Sequence, residues 1–324
     1  MLFSDTVAYV RASAAPGFTE YLEGMLENAD KARKHIAQYG VREVIKTDNG
    51  VESTGGFLDY EETTAAVMLA AWSRKAEEAY NAIMKELNGS YNADALAKGV
   101  ERANKLLSDV VTDADAQVLR ANLAQAARRG ASIANALTAF DALPNNQAIF
   151  DGMVTSSRYW TNNYFNNQVM PSLYKAAQDV IDANGLTLQN DVFRAIREQL
   201  DKRLLKKTPY WHTVSSAAAS RAYHYGMIKG GRRVGYVGYR LDVVQDHRTS
   251  DICTSLVGRE YWLADAELLY DRAANAQDED IKDVHPWITK EERTAMTEQQ
   301  IYDRAVYVPP FHGRCRTSML LLSA

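Results

Sequence analysis

The sequence predicts a mainly α-helical protein with a small α+β domain at its C-terminal end. In the first two thirds of the chain, apolar residues recur every three or four positions, as on one face of a helix. Beyond Gly231 apolar residues alternate with glycine and arginine, which is typical of strands. We therefore divide the chain into a helical region, residues 1–205, and a C-terminal domain, residues 206–324.

Four segments of the helical region carry the helical period. They are residues 60–87, 93–111, 113–142 and 189–206. Alanine-rich stripes let helices approach closely, so these segments predict a bundle. Gly130 is expected to interrupt the third segment, because glycine is a poor residue for a helix interior.

The C-terminal domain is predicted to begin with a helix near Tyr210. Glycine favours helix C-termini, so Gly226, and then Gly230-Gly231, are expected to close this helix. The remaining elements are strands at residues 234–244, 260–263 and 316–322, acidic and partly helical chain over 264–283, and a polar helix over 290–304.

Composition and charge limit the classes of function that this protein is expected to have. The chain of 324 residues has an ordinary apolar content, and no apolar run reaches the roughly 18 residues that span a bilayer. No membrane partner or secretory signal is expected, and two cysteines are too few for a disulfide framework.

The net charge of −4 conceals a basic segment, residues 202–248, with ten lysines and arginines against two aspartates. Such a segment is either a solvated surface or a contact for a polyanion such as DNA. The tentative DNA-binding residues are Lys229, Arg232, Arg233 and Arg240.

Two short motifs near the C-terminal end contain the only cysteines. Cys253 follows His247, and His312 precedes Cys315 with two residues between them. If the two loops meet, these side chains offer the four nitrogen and sulfur ligands that zinc prefers. Three alternatives stay open, namely a Cys253–Cys315 disulfide, a pair of buried free thiols, and a metal held by only part of the set.

Charged and polar residues beside the cysteines predict a structural role. Asp246, Arg248 and Thr249 suit a turn held by side-chain hydrogen bonds to the backbone. Arg314 and Arg316 either form an ion pair inside the domain or bind a carboxylate or phosphate. No catalytic residues are predicted, since the chain has no phosphate-binding glycine loop, no deaminase motif and no identifiable Cys/His hydrolase group.

Together these residues resemble the phage Mu F-like head morphogenesis family, the minor capsid (minor head) proteins of tailed bacteriophages. The resemblance covers residues 208–318 and ends in the Pro-Pro-x-His-x-x-Cys-Arg motif at 309–316. Family members commonly have cysteines where this chain has Ser250 and Thr317, so the family's metal or disulfide site loses two sulfur atoms here.

The resemblance implies a structural protein of the virion, assembled in the bacterial host cytoplasm and located inside the capsid. Its expected partners are the portal, the major capsid protein and DNA, with roles in head assembly and in DNA packaging or ejection. Two alternatives remain: an injected or secreted toxin that carries this domain, and a DNA-binding ejection protein.

Overall fold

A computed structural model describes residues 3–15, 19–39, 45–46, 52–53, 58–88, 93–107, 109–143, 147–164, 208–243, 249–276, 280–284, 288–313 and 315–324, with isolated positions between 165 and 200. It confirms the mainly α-helical fold with a small α+β part near the C-terminal end. The predicted helix at 189–206 lies outside the continuously described chain. No described helix is both long and apolar enough to cross a bilayer.

The described part of the first 164 residues is almost entirely helical. Its helices are α1 (Phe3–Ser13), α2 (Thr19–Tyr39), α3 (Leu58–Leu87), α4 (Ala93–Leu107), α5 (Asp113–Ile133), α6 (Leu137–Asp141) and α7 (Gln147–Tyr164). A two-stranded antiparallel ribbon, β1 (Ile45–Lys46) and β2 (Glu52–Ser53), lies between α2 and α3.

Helix α3 is the central helix of the bundle. Every residue from Glu61 to Ser73 is buried, so this half of the helix is surrounded on all sides. Helices α1, α2, α4 and α5 pack around it. Its buried hydroxyl groups have partners, as burial requires: the Thr63 hydroxyl donates to the carbonyl of Asp59 at 2.8 Å, and the Asn122 amide donates to Thr64 at 2.6 Å.

Helix α8 (Thr208–Arg233) begins the C-terminal part and packs against α3, α5 and α7. The expected break at Gly130 is wrong, and α8 does not end at Gly226, because both helices continue through these glycines. Helix α8 ends at Arg233, two residues after the expected Gly230-Gly231. The role of Gly130 and Gly226 is close packing. A Cβ atom on Gly130 would lie 1.9 Å from the carbonyl oxygen of Tyr223, and one on Gly226 would lie 1.8 Å from that of Ala127.

The C-terminal sheet has three antiparallel strands in the order β4–β3–β5. In chain order the elements after α8 are β3 (Tyr236–Asp242), α9 (Asp251–Leu256), β4 (Glu260–Trp262), α10 (Leu263–Ala273), α11 (Ile281–Val284), α12 (Lys290–Ala295), α13 (Glu298–Asp303) and β5 (Ser318–Ser323). The three predicted strands are confirmed. The single helix expected over 290–304 is two short helices, since Thr289 and Thr297 each begin one with a capping box.

The segment between α13 and β5 lies against the sheet and α8. The Tyr239 hydroxyl in β3 is fully buried and donates to the carbonyl of Tyr307 at 2.8 Å. The backbone at Gly313 approaches α8 so closely that a Cβ there would lie 2.1 Å from a methyl carbon of Thr213. These contacts place residues 305–313 between the two parts of the molecule. The predicted boundary near residue 205 stays a prediction.

Candidate metal centre

The two cysteine motifs lie on separate elements that meet beside the sheet. Cys253 is in the first turn of α9, and Ser250 caps this helix by accepting a hydrogen bond from the Cys253 amide at 3.2 Å. His312 and Cys315 lie in the segment that leads into β5. The segment before β5 therefore carries His312 and Cys315, and the capped helix α9 carries Cys253.

The three side chains form a compact cluster. The Cys253 sulfur lies 3.0 Å from Nε2 of His312 and 3.6 Å from the Cys315 sulfur. Both cysteines are buried, at 3 % and 2 % exposed. The ligand atoms of all three residues fall within 4.8 Å of one another, so Cys253, His312 and Cys315 lie close enough to hold a metal ion.

The imidazole of His312 is oriented for ligation through Nε2. Its Nδ1 lies 2.8 Å from the carbonyl oxygen of Gly313, and this hydrogen bond places the ring proton on Nδ1. Nε2 then presents a lone pair to the Cys253 sulfur and to the Ser250 hydroxyl, which is 2.9 Å away. Hydrogen bonding of the second ring nitrogen is the usual way in which a histidine ligand is held in place.

The two thiols differ in acidity because they share one hydrogen bond. Burial opposes ionisation of Cys315, but hydrogen bonds from Cys253 and from the backbone around Phe311 and Thr317 outweigh it and lower its pKa to about 6. The hydrogen bond with Cys315, followed by burial, raises the pKa of Cys253 to about 12. At neutral pH the pair therefore holds one thiolate.

The pKa of His312 is raised above its ordinary value. Burial lowers this pKa, but the hydrogen bond and the charge interaction with Cys253, together with the hydrogen bond at the Gly313 carbonyl, outweigh burial. An imidazole, a thiolate and a thiol in contact are the chemical groups of a soft-metal site, because a bound cation replaces the shared protons.

The spacing of the ligand atoms fits zinc better than a disulfide. Two sulfurs at about 2.3 Å from a tetrahedral zinc are about 3.8 Å apart, close to the 3.6 Å between Cys253 and Cys315. A disulfide would need about 2.05 Å, and both cysteines are free in the structure. The sulfur–nitrogen distance of 3.0 Å is shorter than the roughly 3.6 Å of such a tetrahedron, so His312 would move outward by about half an ångström.

The other motif residues are only partly described. Asp246, His247, Arg248 and Arg314 lie outside the described residues, so the fourth predicted ligand and three of the predicted structural residues are untested. Thr249 and Arg316 do meet, since a guanidinium nitrogen of Arg316 lies 3.5 Å from the Thr249 hydroxyl. This contact joins the two motifs a second time.

The predicted DNA-binding residues divide into two pairs. Lys229 and Arg232, in the last turns of α8, both form ion pairs with Glu267 of α10. Arg233 and Arg240 are exposed, and Arg240 stands opposite Glu260 in the β3–β4 ladder. Two of the four predicted DNA-binding residues therefore form ion pairs within the protein.

From the sequence, Ser250 was identified only as a position at which members of the resembled family commonly have a cysteine. The structure places its hydroxyl against His312, beside the two sulfurs. A signal for this was present, since Ser250 precedes Cys253 by the same three positions that separate His312 from Cys315. No family model matches the chain, and neither a curated protein nor a solved structure matches it.

Proposed function

We propose that this chain is a minor head protein of a tailed bacteriophage, and that it acts as a structural component inside the capsid. The observation that carries the proposal is the meeting of the two motifs of the resemblance. They are about sixty residues apart in sequence, yet their sulfurs lie 3.6 Å apart. If the two motifs lay on opposite sides of the molecule, the proposal would have no structural support.

We propose further that the cluster of Cys253, His312 and Cys315 binds zinc as a structural staple. Two buried sulfurs and an oriented imidazole nitrogen are ligands that zinc prefers, and burial suits a structural ion. A metal link would join α9 to the chain before β5, two segments about sixty residues apart in sequence, and binding would add to the stability of this part. The fourth ligand would be His247 or water.

The zinc proposal is tested by metal analysis of the purified full chain. We expect about one zinc per chain, a strong loss of zinc in Cys315→Ser, and a lower melting temperature after chelation. Thr254→Ala is the matched control, because Thr254 lies on the same helix and its exposed hydroxyl donates a hydrogen bond to the Ser250 carbonyl. Absence of bound metal, together with free reaction of both thiols in the native protein, would contradict the proposal.

The role in the head is tested separately from the metal. In a phage that encodes this chain, we expect mass spectrometry of purified heads to find it at a lower copy number than the major capsid protein. We also expect it to co-purify with the portal, its proposed partner. Heads of normal composition that lack the chain would refute the assignment, whatever the outcome of the metal analysis.

Burial of the sulfurs supports a structural role over the alternative of a toxin enzyme. A cysteine nucleophile must reach its substrate, and both sulfurs here are almost fully covered. For contact with DNA, the exposed Arg233 and Arg240 are the candidates, because Lys229 and Arg232 are engaged by Glu267. A salt-dependent DNA gel shift that weakens in a variant lacking both exposed arginines would support this contact.

A further inference from the structure

Ser250 lies beside the three proposed zinc ligands, at a position that a fourth ligand would take. Its hydroxyl oxygen is 2.9 Å from Nε2 of His312 and 3.2 Å from the amide nitrogen of Cys253. Both cysteines of the cluster are buried, whereas Ser250 and His312 are half-buried. Ser250 and His312 therefore form the more exposed side of the cluster, from which an ion could enter.

The distances around His312 agree with an oxygen ligand at this position. A tetrahedral zinc with bonds of about 2.0–2.1 Å places a nitrogen ligand and an oxygen ligand about 3.4 Å apart. The Ser250 oxygen is closer to Nε2 than this by about half an ångström, and the Cys253 sulfur is too close by about the same amount. One outward movement of His312 would therefore open both distances for an ion between the ligands.

Two hydrogen bonds hold the Ser250 hydroxyl in place. Because the ring proton of His312 is on Nδ1, the hydroxyl donates its hydrogen to Nε2. The hydroxyl oxygen accepts from the Cys253 amide, and this capping contact uses only one of its two lone pairs. A bound cation would take the second lone pair, together with the lone pair of Nε2.

We propose that Ser250 supplies the fourth ligand, so that the zinc site consists of two sulfurs, one nitrogen and one hydroxyl oxygen. This inference rests on the proposed zinc site and selects its fourth ligand, in place of His247 or free water. Ser250 and Cys253 have the same spacing as His312 and Cys315, so each motif would contribute two ligands. A neutral hydroxyl is a weaker zinc ligand than a thiolate, and the site should bind zinc less tightly than one with a third cysteine.

The test measures binding of zinc and of cobalt(II) by the full chain, in competition with a chelator. Ser250→Cys should bind zinc about tenfold more tightly or better, and its cobalt complex should show the charge-transfer absorption of three sulfur ligands instead of two. Ser250→Ala should bind zinc about tenfold more weakly. Ser250→Thr keeps a hydroxyl and should bind like the native protein.

Ser255→Cys is the matched control, because it makes the same change on the same helix. The native Ser255 hydroxyl donates to the Ile252 carbonyl at 2.7 Å, and residues two positions apart on a helix, such as Cys253 and Ser255, do not face each other. This variant should leave metal binding unchanged. Loss of the helix cap cannot add a sulfur to the cobalt spectrum, so the result for Ser250→Cys does not depend on the stability of α9.

The outcomes separate this inference from the zinc proposal on which it rests. A cobalt spectrum of Ser250→Cys that equals the native one would overturn the role of Ser250 and leave the zinc staple intact. The same conclusion would follow if His247→Ala weakened zinc binding and Ser250→Ala did not. A native chain that binds neither zinc nor cobalt would overturn both proposals.

Discussion

The crossing of α5 and α8 makes a sharp prediction for Gly130→Ala. A Cβ atom at this position would lie 1.9 Å from the carbonyl oxygen of Tyr223 and 2.8 Å from its carbonyl carbon. Ordinary contact begins at 3.4 Å, so the new methyl group falls about 1.5 Å short of it. The obstacle is backbone, which cannot rotate away as a side chain does. The two helices must therefore separate along a buried interface.

Two opposing effects set the magnitude. Overpacking of this severity costs about 3 kcal/mol, at the upper end of the usual range. Replacing glycine by alanine inside a helix returns about 1 kcal/mol. The net expectation is a loss of about 2 kcal/mol in the free energy of unfolding, measured by chemical denaturation.

Gly24→Ala is the matched control for this experiment. Gly24 is an exposed residue inside α2, and a Cβ there would meet no atom within 4 Å. The same substitution should therefore raise the free energy of unfolding by about 0.5–1 kcal/mol. A Gly130→Ala protein that is as stable as the Gly24→Ala protein would refute the close crossing of α5 and α8.

Two further predictions concern the start of α5 and the metal centre. Thr112→Ala removes the side chain that caps α5 and forms a capping box with Asp115, and should lower the free energy of unfolding by about 1 kcal/mol in denaturant titrations. Because the pKa of Cys315 is lowered from 9.0 to about 6 in the fold, its thiolate stabilises the protein fully above pH 9, and this contribution is lost as the pH falls through 6. Unfolding of the metal-free protein, measured with a chelator across this window, should show a steeper pH dependence in the native sequence than in Cys315→Ser, and equal slopes would contradict the assignment.

The parts of the fold that follow from local periodicity were predictable from the sequence. The helix expected at residues 60–87 is observed at Leu58–Leu87, and the strand expected at 234–244 is observed at Tyr236–Asp242. In both elements, the spacing of the apolar residues indicates which face is buried. The complete burial of α3 from Glu61 to Ser73 was not visible in this way, because threonine and glutamate on an apparently polar face carry no local sign of burial.

The roles of the glycines in α5 and α8 depend on a distant partner. Read locally, Gly130 and Gly226 favour helix ends, since glycine is a weak helix former. In the fold each meets the backbone of the other helix, and that contact spans about ninety residues of sequence. A pattern of spacing within one helix contains no information about which surface will approach it, so the two expected interruptions were wrong.

The candidate site was predictable in its chemistry but not in its surroundings. Residue types alone identified Cys253, His312 and Cys315 as possible ligands, and the structure brings them together. The hydrogen bond between Ser250 and His312 could not be predicted, because it depends on which side chains lie nearby after folding. The sequence motifs show which reactive side chains are present. Burial and neighbouring side chains in the fold determine which of them form a site.

Helix α8 connects these features physically. Gly226 places it against α5, and Thr213 contacts the backbone at Gly313, the residue after His312. The position of the candidate metal centre therefore depends on how α8 is held by the helical bundle, since the same helix contacts the bundle and the segment that carries His312. An excised fragment beginning near residue 205 would expose the buried alanines of α8, among them Ala219 and Ala222, to water. The motifs define a C-terminal unit in sequence, but its first helix shares its core with the chain before it.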